Sequence, residues 1–277
     1  HRDLHSFPTR RSSDLPEERA LGERFERDGF VIVPAEDRRA LDAVRDRLVE
    51  VACGWLDRPL PDDPGRFLDT VADQVPAERL NDFRLAVIAG LNATPWLRAA
   101  LFCAARRTVE AVVGNELCMQ RRVNLSIQLP GDAGSLLPLH ADSWAGDSPF
   151  EAVLWTPLVD CFASKSMFLL PPDANARLQT DLHRWAERGM EALFATIEPE
   201  VRWMEVPYGH LLLFNQNLAH GNRINREAAT RWSLNCRFKG VFTPYADKRL
   251  GEFFEPITLR AASRIGLDHR LPEGFDE

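Results

Sequence analysis

The spacing of apolar residues changes part-way along this chain of 277 residues, and this change constrains the fold more than any other feature. Before about residue 117, apolar residues recur at helical spacing, as Leu41, Val44 and Leu48 do. After it, short apolar runs are bounded by Pro, Gly, Asn or Asp, which is typical of strands. Helices followed by many short strands favour one mainly β domain, an antiparallel double-sheet barrel with a helical flank.

The individual elements predicted from these patterns are short and are separated by turn-forming residues. The predicted helices span residues 17–27, 37–53, 79–90, 96–113 and 176–195. The predicted strands span residues 30–33, 117–129, 151–158, 166–170, 201–206, 211–214 and 231–242. We find no internal repeat and no low-complexity linker, so the sequence predicts no second domain.

Charge, hydropathy and cysteine content exclude several classes of protein. The 34 basic and 41 acidic residues give a net charge of −7, whereas nucleic-acid-binding proteins normally have a basic face. No apolar run approaches the length of a membrane-spanning helix, so no membrane partner is expected. The five cysteines are scattered without a CxxC pair, which argues against a disulfide framework and for a cytoplasmic protein.

Residues 1–15 are predicted to be a non-native leader outside the folded domain of residues 16–277. The leader is polar and rich in Arg and Ser, and it has no apolar core typical of a signal peptide. Its residues 5–15 are similar to a translated sequencing adapter, so we interpret it as an artefact of gene assembly; a disordered native tail is the alternative. It contains three Arg and two Asp, so the remaining chain carries −7 − 1 = −8.

Two histidines and one aspartate form a candidate metal site. Residues two apart on a strand project to the same side, so His140 and Asp142 can bind one metal ion. His220 follows another apolar run downstream. Two histidines and one carboxylate are the facial triad of non-haem Fe(II) enzymes, which leaves coordination positions open for a co-substrate and O₂. We therefore predict that these three residues bind iron at the catalytic centre.

A second pair of residues completes this pattern. Arg231 follows His220 by 231 − 220 = 11 residues and shares one strand face with Ser233. An Arg and a Ser in this arrangement can bind a distal carboxylate, the Arg with two hydrogen bonds. The co-substrate 2-oxoglutarate chelates iron through its keto acid end, and its far carboxylate needs such an anchor. The pair therefore predicts 2-oxoglutarate as the co-substrate.

Several segments of the chain carry a resemblance to a known family. They span residues 140–150, 153–160, 206–209, 220–222, 231–233 and 250–256. With these segments, residues 20–272 resemble the phytanoyl-CoA dioxygenase-like Fe(II)/2-oxoglutarate oxygenases, most closely those of bacterial carbohydrate-biosynthesis clusters. The resemblance implies a double-stranded β-helix (a cupin-like jelly roll), iron on His140, Asp142 and His220, and the 2-oxoglutarate C5 carboxylate on Arg231 and Ser233.

The reaction that this resemblance implies is oxidation of a carbohydrate or a sugar-linked intermediate. Halogenating iron oxygenases have a small residue in place of the carboxylate ligand, so Asp142 favours oxygen transfer or oxidation. Hydroxylation is the default outcome, and epimerisation or desaturation stays open. The alternatives are the same chemistry on a small acid, an amino acid or an acyl thioester, or a metal-binding jelly roll without catalysis. A homodimer is one assembly that the sequence leaves open.

Further residues are candidate contacts to the co-substrate or to a small-molecule substrate such as a sugar or nucleotide-sugar. Asn124 and Gln128 lie four residues apart on one strand, so both can face the site and contact the 2-oxoglutarate C1 carboxylate or the substrate. Ordinary polar strand positions are the alternative. The candidate substrate-binding residues are Trp144, Lys165, Arg223 and Arg237. Surface ion pairs are the alternative for the two arginines, and Trp155 and Trp232 are expected in the core.

Overall fold

The structure is a computed structural model that describes residues 15–185 and 188–272. The predicted leader lies outside the described residues except for Leu15, so its interpretation stays a prediction, as does the domain boundary that depends on it. Among the described residues no single helix is long and apolar enough to span a membrane. The helices Leu80–Asn92 and Leu97–Val112, which are bent by 76° relative to each other, are together long and apolar enough, by length and composition only.

Eight α-helices are present in the described part of the chain, and five of them precede the second strand. They are α1 (Pro16–Asp28), α2 (Arg38–Leu56), α3 (Pro64–Asp69), α4 (Leu80–Asn92), α5 (Leu97–Val112), α6 (Pro172–Asp181), α7 (Gly189–Ile197) and α8 (Ala261–Asp268). The Asp37 carboxylate begins α2 by accepting a hydrogen bond of 2.9 Å from the Ala40 N–H. The predicted helix 176–195 is wrong as one element, because α6 ends at Asp181 and the left-handed backbone of Gly189 (φ 80°), where α7 begins, interrupts a continuous helix.

Ten strands form the sheets of the described chain. They are β1 (Phe30–Pro34), β2 (Leu117–Gln120), β3 (Asn124–Gln128), β4 (Ala152–Pro157), β5 (Phe168–Leu169), β6 (Arg202–Trp203), β7 (His210–Asn215), β8 (His220–Gly221), β9 (Arg231–Gly240) and β10 (Phe254–Thr258). The predicted single strand over 117–129 is two strands, because β2 and β3 pair with opposite halves of the long β9. The break between β2 and β3 lets each of these two strands pair with β9 in its own register.

The strands form two antiparallel sheets. The large sheet has the order β1-β7-β4-β9-β2-β10, with β3 also paired to β9. The small sheet has the order β6-β5-β8, and a bridge from His140 to His220 adds the chain at residue 140 to its β8 edge. From β3 to β9 the chain passes repeatedly between the two sheets. The prediction of antiparallel sheets with accompanying helices is confirmed.

The two faces of β9 have different surroundings. Trp232 is fully buried on one face, where its indole N–H donates to the Leu68 carbonyl oxygen at 2.8 Å and its ring packs on Phe83 of α4. Phe238 lies on the same face and packs on Phe102 of α5. Because side chains alternate along a strand, Arg231 lies on the opposite face. The helices thus cover one side of the large sheet and leave its other side for a cavity.

Candidate metal centre and its cavity

The side chains of His140, Asp142 and His220 converge on one point. Their candidate ligand atoms all lie within 4.8 Å of one another. The Asp142 Oδ1 atom is 3.5 Å from His140 Nε2 and 4.0 Å from His220 Nε2. Atoms at these separations can bind one ion at metal–ligand distances of about 2.1 Å. The structure therefore brings together the three residues that the sequence proposes as ligands.

The small sheet and its hydrogen bonds orient both imidazoles. The two histidines exchange backbone hydrogen bonds, with N–O distances of 2.9 Å from His140 N–H and 2.7 Å from His220 N–H. Their Nδ1 atoms lie 2.8 Å from the carbonyl oxygens of Pro138 and Leu218. A carbonyl oxygen only accepts hydrogen bonds, so Nδ1 carries a proton, and loss of the Nε2 proton leaves a lone pair there for a metal ion. This is the tautomer that metal coordination needs.

The third ligand is fixed by an arginine. Asp142 lies in the short 3₁₀ helix Asp142–Ala145, and its Oδ2 accepts a hydrogen bond of 2.7 Å from Arg237 Nη2. Arg237 is held in turn by Gln216, whose Oε1 accepts from its Nε at 3.1 Å. One carboxylate oxygen is thereby engaged and the other faces the histidines. Arg237 thus holds a candidate ligand, and because it also lines the cavity, its predicted contact to a substrate stays a prediction.

The electrostatics of the three residues fit a charged carboxylate beside a neutral His220. Burial raises the pKa of Asp142, but the hydrogen bond from His140 and the charge of Arg237 outweigh this effect. Together they hold that pKa well below its usual range. Burial, together with repulsion from His140, lowers the pKa of His220 to about 4. Burial also lowers the pKa of His140, but its hydrogen bonds to Asp142 and Pro138 outweigh this and raise it. At neutral pH, His220 is therefore a neutral ligand donor beside a charged carboxylate.

A cavity of about 260 Å³ lies between the two sheets and contains the three candidate ligands. Its wall on the large sheet follows one side of the pleat, since directly paired residues share a face. Asn235 of β9 is directly paired with Asn124 of β3 and with Trp155 of β4, and all three side chains line the cavity. Its other lining residues are Ser126, Leu137, Val153, Met167, Phe214, Gly221, Asn222, Arg231 and Arg237. Trp155 is thus buried, as expected of a core residue, and also lines the cavity.

Arg231 lies in this cavity without a carboxylate partner among the residues that the structure describes. It is 2% exposed, and its Nη atoms donate to the Ser166 carbonyl oxygen at 3.0 Å and to Ser126 Oγ at 2.7 Å. Its Nε and the nearby Ser233 and Ser166 hydroxyls are buried without a hydrogen-bond partner. Burial lowers the pKa of Arg231 to about 10, so it remains charged at neutral pH. A buried cation with unused donors fits a carboxylate ligand.

Three other predicted contacts do not line the cavity. Gln128 lies opposite Arg231 in the register, but its Nε2 donates to the Arg223 carbonyl oxygen at 2.6 Å. The guanidinium of Arg223 forms two hydrogen bonds of 2.8 Å with the Glu191 carboxylate on α7. Trp144 is half-buried against the apolar cluster beneath the small sheet. None of the three is among the residues that line the cavity, so the structure does not support them as cavity contacts.

Lys165 is also placed away from the cavity. Its side chain is 2% exposed, and Nζ lies 2.5 Å from Asp69 Oδ1 at the end of α3. The prediction of a substrate contact is corrected here, because the ammonium group is neutralised by Asp69.

Replacing Asp69 with alanine should lower the free energy of unfolding by about 2 kcal/mol, because it leaves the Lys165 ammonium buried without its carboxylate. The Asp69 side chain is 37% exposed, so water moderates the loss. Urea unfolding of both proteins measures the change. Asp73→Ala, at a nearby exposed carboxylate, should change the value by less than about 0.5 kcal/mol. An equally small effect of Asp69→Ala would contradict the buried ion pair.

Three polar residues of the cavity are absent from the sequence prediction. Ser126 and Asn235 share the alternation of Asn124 and Arg231, so the same period of two could have found them. Asn222 lies two residues past His220, and its Oδ1 accepts from the Leu137 N–H at 2.7 Å, which holds the cavity wall in place. A strand of only two residues gave no alternation from which to predict it.

Comparison with known proteins finds likeness in structure and not in sequence. No protein-family model and no curated protein matches the sequence. Among solved structures, a nickel complex of the non-heme monooxygenase ThoJ is 18% identical over 91% of this chain and 89% of that chain, with a TM-score of 0.57. Apo ThoJ is 17% identical over 86% of this chain and 84% of that chain, with a TM-score of 0.55. The chain shares their fold.

A third solved structure has the same likeness. HygX from Streptomyces hygroscopicus, with nickel and 2-oxoglutarate bound, is 17% identical over 86% of this chain and 91% of that chain. Its TM-score is 0.51. At this identity the likeness concerns the fold alone, so the chemistry of the present chain has to be argued from its own residues.

Proposed function

We propose that the protein is a non-haem Fe(II)- and 2-oxoglutarate-dependent oxygenase. The observation that carries this proposal is that His140, Asp142 and His220 lie in the same cavity as the buried Arg231, which has no carboxylate partner among the described residues. Metal ligands alone are compatible with a structural site. A separate buried cation in the same cavity implies an anionic co-substrate beside the metal, which is the composition of this enzyme class.

Each group of the proposed site has a defined task. His140, Asp142 and His220 would hold iron, with Arg237 keeping one Asp142 oxygen turned toward the histidines. The iron and its co-substrate 2-oxoglutarate, when bound, supply activation of O₂ coupled to oxidative decarboxylation. Arg231 and Ser233 would hold the distal carboxylate of 2-oxoglutarate, since their unused donors are buried together. Asn124 would contact the C1 carboxylate or the substrate, which its position in the cavity lining supports.

We further propose the double-stranded β-helix as the detailed fold. The passage of the chain between the two sheets supports it, as does the resemblance to phytanoyl-CoA dioxygenase-like oxygenases. The favoured reaction is hydroxylation or another oxidation of a carbohydrate or sugar-linked intermediate. The same chemistry on a small acid, an amino acid or an acyl thioester is the alternative. Cytoplasmic localisation and a homodimer stay predictions.

Anaerobic addition of Fe(II) and 2-oxoglutarate should produce a weak metal-to-ligand charge-transfer band in the visible spectrum. The band requires both components, because it arises from 2-oxoglutarate chelated to Fe(II). Zn(II) is the control, since its filled d shell gives no such band. Absence of the band from folded protein with Fe(II) and 2-oxoglutarate would contradict the proposed function. A band without succinate release under O₂, across a panel of candidate substrates, would favour a non-catalytic metal-binding protein.

A further inference from the structure

A second cavity of about 480 Å³ adjoins the metal cavity. The two share Asn124, Ser126, Leu137 and Asn235. The remaining lining residues come from α4, from β3 and from the loop before His140, namely Asn81, Arg84, Ile88, Leu125, Ile127, Gly134, Ser135 and Leu136. We call this second cavity the entry groove. Because it shares a wall with the metal cavity, a molecule lying in it extends toward the candidate ligands.

The entry groove has no free charge among its described lining residues. Arg84 is the one charged side chain there, and it is bound to Asp132 and Ser135, with a further bond of 3.2 Å to the Ile127 carbonyl oxygen. In the adjoining metal cavity, Arg237 is paired with Asp142. Arg231 is assigned to the co-substrate by the proposed function. Among the described lining residues of the two cavities, no cation therefore remains to neutralise a phosphate on the substrate.

The groove instead offers neutral hydrogen-bonding groups. Asn81, Asn124 and Asn235 contribute amides, whereas the Ser135 hydroxyl is used by Arg84 and Asp132 and the Ser126 hydroxyl accepts from Arg231. The Oδ1 atom of Asn235 is buried and has no hydrogen-bond partner. An amide donates and accepts at once, as a hydroxyl group does, so several amides on one wall suit a ligand with several hydroxyls. The unpartnered Asn235 oxygen is free to accept from one of them.

We propose that the entry groove selects an uncharged, hydroxyl-rich substrate, such as a glycoside, over phosphorylated, nucleotide-linked or CoA-linked compounds. This inference rests on the proposed function and narrows its substrate class. A phosphate in the groove would lose water without gaining a cation. The net charge of −7 disfavours the approach of polyanions as well.

The inference is tested with matched carbohydrate probes on protein saturated with Ni(II) and 2-oxoglutarate. For glucose, galactose, mannose and N-acetylglucosamine, the methyl glycoside, the 1-phosphate and the UDP-sugar are titrated by calorimetry, with sucrose and raffinose as larger uncharged probes. We expect at least one uncharged probe to bind, and a methyl glycoside to bind at least about tenfold more tightly than its charged partners. Tighter binding of a phosphate or UDP-sugar, or no binding of any uncharged probe, overturns the inference.

Variants of the groove separate its role from that of the metal site. Asn235→Leu should lower the affinity for the methyl glycoside at least about tenfold. Asn124→Lys should raise the affinity for the 1-phosphate by a similar factor. Gln179→Leu on α6, outside both cavities, is the matched control and should change neither. If wild-type protein binds neither Ni(II) nor 2-oxoglutarate, the proposed function fails. If it binds both but prefers charged sugars, only the inference about the groove fails.

Discussion

Replacing Asp142 with alanine is expected to weaken Fe(II) binding at least about 100-fold and to abolish 2-oxoglutarate-dependent turnover. The carboxylate is the one anionic member of the ligand set, and its Oδ1 faces both histidines. The fold should survive, because Arg237 keeps Asp147 and Glu151 within 3.5 and 3.8 Å. Anaerobic Fe(II) titration measures the binding, and thermal unfolding followed by circular dichroism measures the fold. His140→Ala should give the same result.

Two further variants test whether the effect belongs to the metal site. Asp181→Ala removes a carboxylate that is ion-paired on the surface of α6, and it should leave iron binding and turnover unchanged. Arg237→Met should weaken iron binding by about 10-fold, less than loss of the ligand itself, with partial recovery in Arg237→Lys. Full turnover in Asp142→Ala would show that the ligand assignment is wrong.

Replacing Arg231 with methionine should weaken binding of 2-oxoglutarate at least about 100-fold without weakening Fe(II) binding. The distal carboxylate would lose a charged partner that is itself buried, where such pairs contribute most. The free energy of unfolding should stay equal or rise, since the guanidinium is buried without a carboxylate among the described residues. Calorimetric titration with 2-oxoglutarate and urea unfolding measure the two quantities.

Arg223→Met is the matched control for this variant. Its guanidinium is bound by Glu191 at the surface, so both 2-oxoglutarate affinity and stability should change little. Arg231→Lys should bind 2-oxoglutarate with intermediate affinity, because it keeps the charge but not the two parallel donors. An unchanged affinity in Arg231→Met would contradict the assignment of this residue to the co-substrate.

The sequence predicts the candidate site well where the argument depends on strand alternation. Arg231 and Ser233 are two residues apart on β9, so a period of two places both on one face. His140 and Asp142 also converge, because the residue between them is extended, although Asp142 itself begins a 3₁₀ helix. Helical spacing likewise predicts α2, whose buried residues include Leu41. These predictions hold because the periods of helix and strand are fixed by backbone geometry, whatever the rest of the fold does.

The sequence predicts less well where a side chain could have several partners. Lys165 and Arg223 are cations in polar segments, and their sequence surroundings do not show whether they meet a ligand or a carboxylate. In the structure, Lys165 forms an ion pair with Asp69, which is 96 residues away along the chain. Arg223 forms one with Glu191, which is 32 residues away. Such pairings depend on how α3 and α7 pack against the sheets, and no local pattern contains that information.

The sequence by itself determined the ligand types, their order along the chain and the change from helices to strands, since these depend on residue chemistry and local backbone period. Tertiary structure alone decided that Arg237 holds Asp142. It also decided that, among the residues the structure describes, Arg231 is buried without a carboxylate and the entry groove has no free cation. The reason is physical. Charge and hydrogen bonding act between atoms a few ångströms apart, and folding brings together groups that are far apart in the chain.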